Sequence, residues 1–108
     1  MGARSRGVLT DVTRDDAPQQ IVGAALEAFA RIDILVHSAG LFEPIPFAET
    51  PPESLDRQWE TNVRAPFLIT QAALPHLGAG SSVIFISSIA GHAGFPSAAA
   101  YCATKGAV

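Results

Sequence analysis

The sequence has 108 residues, which is enough for at most one small domain. Apolar residues make up 48% of it and charged residues 16%, a balance that excludes an intrinsically disordered chain. The net charge is −3 and there is no basic run, so neither nucleic acid nor an anionic membrane surface is expected as a partner. The single cysteine, Cys102, permits no internal disulfide and predicts a reducing, cytoplasmic location.

The segment from Ala65 to Thr104 contains no Asp, Glu, Lys or Arg. Residues such as Pro75 and Gly78 break it well before the roughly 20 apolar residues of a membrane span. We therefore expect this segment to be deeply buried, with a subunit interface as part of that burial. At the start of the chain, no apolar core follows the residues from Met1 to Arg6, so this region does not match a signal peptide.

The first two predicted elements are a short strand and a helix. The residues from Val8 to Thr10 are the strand candidate, which ends at Asp11. A helix then begins at Asp16, where Gln19 completes a capping-box pattern and Pro18 occupies the first turn. Apolar residues at helical spacing predict that this helix packs against a sheet.

A second strand and a long helical region follow. The residues from Ile32 to Val36 form the predicted strand, and the loop from Leu41 to Glu49 contains two prolines. Thr50 opens the helical region, in which apolar residues recur at helical spacing. Pro66 and Pro75 are expected to interrupt or kink it.

The third predicted strand, from Val83 to Ile86, is a run of β-branched and aromatic residues, which predicts burial on both faces. The strand ends near Ser88 and is followed by a glycine-containing loop. Ser97 is predicted to cap the Ala-rich helix that comes next. On that helix Tyr101 and Lys105 stand four residues apart and share one face. A hydroxyl at the carboxyl end of a strand therefore faces a tyrosine and a lysine, at the edge where open α/β sheets bind ligands.

These three side chains are suited to proton transfer. A free phenol has a pKa of about 10, too high for an efficient base near neutrality, and a nearby ammonium lowers that pKa. Lys105 supplies such a cation beside Tyr101, and Ser88 can donate to an oxygen that gains negative charge. Because Tyr and Lys at this spacing also recur by chance, the interpretation depends on the preceding strand, the serine turn and the order of the three residues.

The strand, the Ser-Ser-Ile-Ala-Gly turn that begins at Ser87, and the Tyr-x-x-x-Lys that follows resemble the active-site segment of the short-chain dehydrogenase/reductase family. The resemblance implies that Ser88, Tyr101 and Lys105 are the catalytic serine, tyrosine and lysine. It also implies that Asn62, in Thr-Asn-Val-Arg-Ala-Pro-Phe, completes the catalytic group by holding a water in a proton relay from the lysine. The other interpretation of Asn62 is structural, with its side chain bonded to backbone or water.

The resemblance further implies a set of contacts with NAD or NADP. Asp11 and Val12 match an Asp-Val pair that lies against the adenine, although an aspartate that caps a turn explains Asp11 equally well. The matched turn beneath the cofactor, which in the family is usually Asn-Asn-Ala-Gly, consists here of His37, Ser38, Ala39 and Gly40. Tyr101 and Lys105 would also contact a ribose. For His37, a strand-end histidine that satisfies local backbone groups is preferred to a catalytic base.

By the same resemblance the fold is α/β, a partial Rossmann-type doubly wound parallel sheet. Residues 1–108 would form one partial NAD(P)-binding domain with the third to fifth strands and their helices. The sequence contains neither the N-terminal Gly-rich βαβ unit that holds the pyrophosphate nor the C-terminal part, so it looks like a fragment. We expect the strand near Val8 to lack its native partners, the other two strands to pair in parallel, and the chain to be marginally stable. We also expect weak or no binding of NAD or NADP by this chain alone.

The activity implied for an intact parent is hydride transfer between a nicotinamide and a small-molecule carbonyl or secondary alcohol. Such a parent is expected to be a homo-oligomer, either a dimer or a tetramer. Two alternatives stay open. One is a catalytically silent remnant or interaction module, and the other is an extended-type sugar epimerase or dehydratase, which shares Tyr-x-x-x-Lys. The context of Asn62 and the serine turn favour the dehydrogenase.

Overall fold

The computed structural model describes residues 4–108 and shows an α/β fold. Residues 1–3, the start of the segment compared with a signal peptide, lie outside the described residues. The main elements, in chain order, are α1 Ala17–Phe29, β1 Ile34–His37, α2 Pro52–Trp59, a π-helical segment Glu60–Arg64, α3 Ala65–Ala73, β2 Ser82–Phe85 and α4 Ala99–Ala107. Short 3-10 turns lie at Phe47–Glu49, Leu74–His76 and Ile89–Gly91.

The two strands form a small parallel sheet. Ile34 lies beside Ser82 and His37 lies beside Phe85 in the hydrogen-bonded register. This arrangement confirms the predicted parallel pairing. The helices pack in pairs, α1 against α3 and α2 against α4. Small side chains dominate the apolar core of the described residues, which consists of Ala17, Val22, Ala65, Ile69, Ala73, Ala90 and Ala98.

The predicted strand at residues 8–10 does not form. Residues 4–11 have no regular secondary structure, and both Val8 and Leu9 are exposed. A strand is stabilised by backbone hydrogen bonds to a neighbouring strand. In the sheet order of the resembled fold, the neighbours of this segment are strands that residues 4–108 do not supply. The prediction of this strand is therefore wrong, although the expected lack of a partner explains the result.

The predicted burial of β2 on both faces is also wrong. Val83, Ile84 and Phe85 each keep at least a third of their surface exposed. On one face, the ring of Phe85 stacks on His37, whose side chain bonds to Thr70 on α3. Side chains alternate along a strand, so Ile84 and its neighbour on β1 project from the other face. That face is largely open, because the two-stranded sheet of the described residues has its helical packing on the His37 side.

Deep burial of the uncharged segment from residue 65 to residue 104 is likewise wrong. Phe67 is 65% exposed, Leu74 is 63% exposed and Ile89 is 72% exposed. The buried positions in this segment are mostly alanines, because the helices of this chain approach each other through small side chains. Whether the exposed apolar residues meet a second subunit stays a prediction.

Two predicted helix caps do not form. Asp16 precedes α1 and Pro18 lies in its first turn, as expected, but the Asp16 carboxylate bonds the Arg14 side chain instead of a backbone N–H. Ser97 has a left-handed backbone with φ of 57°, and its carbonyl accepts from the Ile45 N–H at 3.1 Å. Helix α4 therefore begins two residues later, without a side-chain cap.

The long helical region is interrupted close to the predicted position. It begins at Pro52 rather than Thr50. At the end of the π-helical segment, the Ala65 N–H donates to the carbonyl of Glu60, five residues earlier. Pro66 has no N–H with which to continue the α-helical pattern, and this favours the local widening of the helix. The second predicted interruption, at residue 75, coincides with the 3-10 turn that ends the region.

Candidate active site

The carboxyl ends of β1 and β2 meet at one edge of the sheet, because the strands are parallel neighbours. Residues 38–40 follow β1, and residues 86–88 follow β2. Helix α4 packs against the 3-10 turn Ile89–Gly91, just beyond this edge. The sheet edge and α4 thereby gather the serine, tyrosine and lysine that the sequence pattern singled out.

Lys105 reaches from the last turns of α4 to the end of β2. Its Nζ donates a hydrogen bond to the carbonyl of Ile86 at 2.9 Å. The same nitrogen lies 5.7 Å from the centroid of the Tyr101 ring, within cation–π range. The residue is only 7% exposed. A buried ammonium is thus held at the sheet edge, beside the aromatic ring that precedes it by one helical turn.

Ser88 and Tyr101 present their hydroxyls differently. The Ser88 Oγ accepts from the Ala90 N–H at 3.1 Å and caps the 3-10 turn. A serine hydroxyl has one hydrogen to donate, so this arrangement leaves that hydrogen for another acceptor. Among residues 4–108, no hydrogen bond joins the Tyr101 hydroxyl to Ser88 or Lys105. The Tyr101 ring instead contacts the Phe42 ring, with the two centroids 4.7 Å apart.

The Asn62 side chain is bonded within the protein. Its Oδ1 accepts from the Leu41 N–H at 2.8 Å, and its Nδ2 donates to the Leu41 carbonyl at 2.9 Å. Nδ2 also donates to Thr104 Oγ1 at 3.0 Å, and that hydroxyl donates to the Tyr101 carbonyl at 2.8 Å. Asn62 therefore connects the loop after β1 with the helix that carries Tyr101. These contacts agree with the structural interpretation of its side chain.

The turn after β1 passes close to the lysine and the asparagine. A Cβ atom placed on Gly40 would lie 3.6 Å from Asn62 Oδ1 and 3.8 Å from Lys105 Nζ. A glycine here leaves the surface beside the lysine open. Ser38 and Ala39 line a cavity of about 140 Å³ together with Val12. Val12, Ser38, Ala39 and Gly40, four of the residues expected to contact the cofactor, therefore lie around this turn.

Asp11 makes the turn-capping contacts that were one of its two interpretations. Its carboxylate accepts from the Thr13 N–H at 2.9 Å and from the Thr13 hydroxyl at 2.7 Å. These two bonds hold the pKa of the Asp11 carboxyl below its usual value, and the bond from the Thr13 hydroxyl has the larger effect. Next to it, the Thr10 hydroxyl is the buried side-chain polar atom without a hydrogen bond among residues 4–108. A polar ligand group at this end of the site would satisfy it.

His37 points into the protein, not towards the open edge of the sheet. Its Nε2 lies 2.7 Å from the Thr70 hydroxyl, and its ring stacks on Phe85 with centroids 4.8 Å apart. Burial lowers the pKa of His37, which favours the neutral imidazole. The ring is thus satisfied by a side chain on α3 rather than by local backbone groups. Nothing in this geometry gives it the position of a catalytic base.

Several residues at the site were not singled out by the sequence analysis. Phe42 contacts Tyr101, and Thr104 links Asn62 to α4. Ser54 and Gln58 were also missed. Together with Asn62 they recur every four residues, and this spacing could have identified them from the sequence. Polar side chains at that spacing share one side of a helix, and their burial requires partners inside the protein.

The family model described as short chain dehydrogenase matches residues 2–108. The chain belongs to the short-chain dehydrogenase family. This finding confirms the family resemblance on which the sequence interpretation relied. The α/β fold agrees with it, because solved dehydrogenases of this family superimpose on nearly all of the chain.

The family members with the most informative matches are much longer than this chain. Short-chain dehydrogenase/reductase FrzI from Cladobotryum sp is 35% identical over 108 residues, which are 100% of this chain and 42% of that protein. Tropinone reductase-like 3 from Erythroxylum coca is 37% identical, covering 99% of this chain and 42% of its own length. A solved dehydrogenase/reductase from Sinorhizobium meliloti 1021 has 34% identity and a TM-score of 0.93, over 98% of this chain and 42% of that structure. The chain therefore spans less than half the length of these relatives.

The described residues contain neither a metal-binding cluster nor a membrane-spanning helix. In residues 4–108, no group of three or more His, Cys, Asp or Glu side chains is placed to hold a metal ion. No helix in that part of the chain is long and apolar enough to cross a membrane.

Proposed function

We propose that this chain provides the acid–base residues of an NAD(P)-dependent oxidoreductase that transfers hydride between the nicotinamide and a carbonyl or secondary alcohol. The observation that carries the proposal is the position of Lys105, which bonds the end of β2 and lies beside the Tyr101 ring. Relatives named dehydrogenase or reductase support this function and favour it over a sugar epimerase or dehydratase. The experiment below separates it from a catalytically silent remnant.

In this proposal Tyr101 exchanges a proton with the substrate oxygen through its hydroxyl. The Lys105 side chain lies one turn away, beside the Tyr101 ring. Ser88 accepts from the Ala90 N–H and uses its own hydrogen to hold the same substrate oxygen. A bound nicotinamide would donate or accept the hydride at the carbon. The protein residues therefore manage the oxygen and its proton.

We place the contribution of Asn62 in its backbone carbonyl, because its side chain already makes three hydrogen bonds. The α-helical donor to this carbonyl would be the N–H of residue 66, which is a proline and has none. A water at the Asn62 carbonyl would take the place of the missing donor. Such a water is the relay that the family resemblance implies.

We also propose which residues would hold NAD or NADP. Asp11 and Val12 would face the adenine, and the turn of His37, Ser38, Ala39 and Gly40 would lie beneath the cofactor, with only the backbone of His37 available. Tyr101 and Lys105 would contact a ribose. The pyrophosphate needs a helix N-terminus after a Gly-rich turn, which does not occur in residues 4–108, so we expect weak binding by this chain alone. A cytoplasmic, homo-oligomeric parent is part of the same proposal.

The test uses a complete short-chain dehydrogenase that contains residues 4–108 of this chain. Tyr101→Phe should lower turnover by about a hundredfold or more while leaving cofactor affinity nearly unchanged, because the phenol acts on the proton. Lys105→Ala should weaken both, since the lysine would touch the ribose and the phenol. Steady-state rates and fluorescence titration with NADH and NADPH measure the two effects. Phe47→Leu, on an exposed turn, is the control.

Two results would contradict the proposal. The first is substantial turnover by the Tyr101→Phe variant, which would remove the tyrosine from the mechanism. The second is a complete protein that binds neither cofactor and reduces no carbonyl compound, which would favour the silent remnant.

A further inference from the structure

Three buried polar side chains lie four residues apart along α2 and the π-helical segment. They are Ser54, Gln58 and Asn62, with exposed fractions of 0%, 1% and 3%. Their spacing places them along one side of the helical region, and Gln58 Nε2 donates to Ser54 Oγ at 3.2 Å. We call these three residues the polar ladder. Burying them without hydrogen bonds would cost several kcal/mol, so the ladder needs partners inside the protein.

The partners of the polar ladder lie in residues 41–43, directly after the turn beneath the proposed cofactor site. Asn62 bonds both backbone groups of Leu41, at 2.8 Å and 2.9 Å. Gln58 Oε1 accepts from the Glu43 N–H at 3.4 Å. The ladder therefore holds the backbone on either side of Phe42.

The Glu43 side chain adds a second attachment. Its carboxylate accepts from the Ser54 hydroxyl at 2.5 Å and from two guanidinium nitrogens of Arg57, both at 3.1 Å. Hydrogen bonds from Arg57 and Ser54 hold the pKa of this carboxyl below its usual value, and the bond from the Arg57 guanidinium has the larger effect. Glu43 thus stays charged and bonded to α2 at neutral pH.

Phe42 lies between these attachment points, with its ring against the proposed catalytic tyrosine. The Phe42 and Tyr101 rings have centroids 4.7 Å apart and are tilted by 44°. Half of the Phe42 surface is nevertheless exposed. A ring whose backbone is held on both sides, and which still faces outward, is placed to receive a ligand.

We propose that Phe42 and Tyr101 form an aromatic corner that recognises a flat, apolar group on the carbonyl or alcohol carbon of the substrate. The proposal rests on the proposed function, because it takes the Tyr101 hydroxyl as the group that meets the reacting oxygen. With the oxygen there, the substituent lies beside the Tyr101 ring and the exposed side of Phe42. An aromatic group gains tilted or offset ring contacts in this position, whereas a polyhydroxylated group would lose hydrogen bonds to water. The polar ladder positions the corner and does not touch the substrate.

The test measures binding by this chain, without cofactor and without turnover. Acetophenone is titrated into the isotope-labelled chain, and the ring resonances of Phe42 and Tyr101 are followed by NMR; acetone is the matched probe without a ring. Acetophenone should shift both sets of resonances, and acetone should not. Phe42→Leu should weaken acetophenone binding about two- to tenfold, the range that one aromatic pair contributes. Phe47→Leu, which removes an 81% exposed phenylalanine elsewhere, should leave it unchanged.

The polar ladder is tested separately. Gln58→Leu keeps the size of the side chain but removes the acceptor for the Glu43 N–H, so the Phe42–Tyr101 nuclear Overhauser effects should weaken and acetophenone binding should fall. Gln58→Asn keeps an amide without adding a charge and should retain more of both. Equal effects of the two variants would show that Gln58 acts only through packing and would remove it from the positioning role.

One result on the unmodified chain overturns the aromatic corner without any variant: acetophenone shifts neither ring, or shifts them no more than acetone does. Activity measurements on a complete enzyme distinguish failure of the aromatic corner from failure of the proposed function. A complete enzyme without hydride transfer would leave the binding result standing. An active enzyme that treats aromatic and aliphatic ketones alike, before and after Phe42→Leu, would overturn only the corner.

Discussion

The Ser87 hydroxyl donates to the backbone carbonyl of Lys105 at 2.7 Å, while Lys105 Nζ donates to the carbonyl of Ile86 at 2.9 Å. Two consecutive residues at the end of β2 thus hold both the backbone and the side chain of one residue on α4. Because Tyr101 lies one turn earlier on the same helix, these bonds also determine how the phenol is presented at the sheet edge.

Removing the Ser87 hydroxyl should loosen α4. For Ser87→Ala we expect the free energy of unfolding to fall by about 1 kcal/mol, the typical contribution of one hydrogen bond, and the α4 amides to exchange faster. Urea denaturation followed by the fluorescence of the single tryptophan, Trp59, and hydrogen exchange measure these effects. Ser87→Thr keeps the hydroxyl and should restore both. If Ser87→Ala behaves like Ser82→Ala, at an exposed serine at the start of β2, the bond contributes nothing.

Gly91 is predicted to tolerate no side chain. A Cβ atom there would lie 2.6 Å from the Lys105 carbonyl oxygen and 2.9 Å from its carbon, and these are backbone atoms that cannot turn aside. Gly91→Ala should therefore displace α4 and lower the free energy of unfolding by about 1–3 kcal/mol. Gly94→Ala is the control, because nothing lies within 4 Å of its Cβ position. Equal stability of the two variants in urea would contradict the close approach of the turn and the helix.

His37 should make the stability of the chain depend on pH. Burial lowers its pKa from the ordinary value of 6.5, so the unfolded chain binds a proton at a higher pH than the folded chain does. The stabilisation from neutral His37 is therefore fully present above about pH 6.5 and is lost as the pH falls towards the lowered folded value. Urea denaturation at several values between about pH 7 and pH 5 measures this slope.

His37→Phe removes the titrating group but keeps a ring against Phe85, so its free energy of unfolding should vary less over the same pH range. His76→Gln, at an exposed histidine, should keep the slope of the unmodified chain. An unchanged or steeper slope after His37→Phe would show that another group controls the pH dependence.

The family was predictable from the sequence because its motifs lie within short segments, and the parallel pairing of two strands followed from the sheet order of the resembled family. The order of Ser88, Tyr101 and Lys105 combines a strand end with one helical turn, and a helix places residues four apart on one face wherever it packs. Their catalytic roles stay predictions, but their gathering at the sheet edge follows from this local geometry.

Other features depend on contacts between segments that are distant in the chain, and only the tertiary structure decided them. The side chains of Asn62 and Gln58 bond to the backbone of residues 41–43. The local sequence around a polar side chain does not indicate which distant backbone groups it will bond to. The strand predicted at 8–10 and the double burial of β2 failed for a related reason. A strand forms, and a strand face is buried, only when a neighbouring strand or helix covers it, and burial is therefore a property of the assembled layers rather than of the apolar run itself.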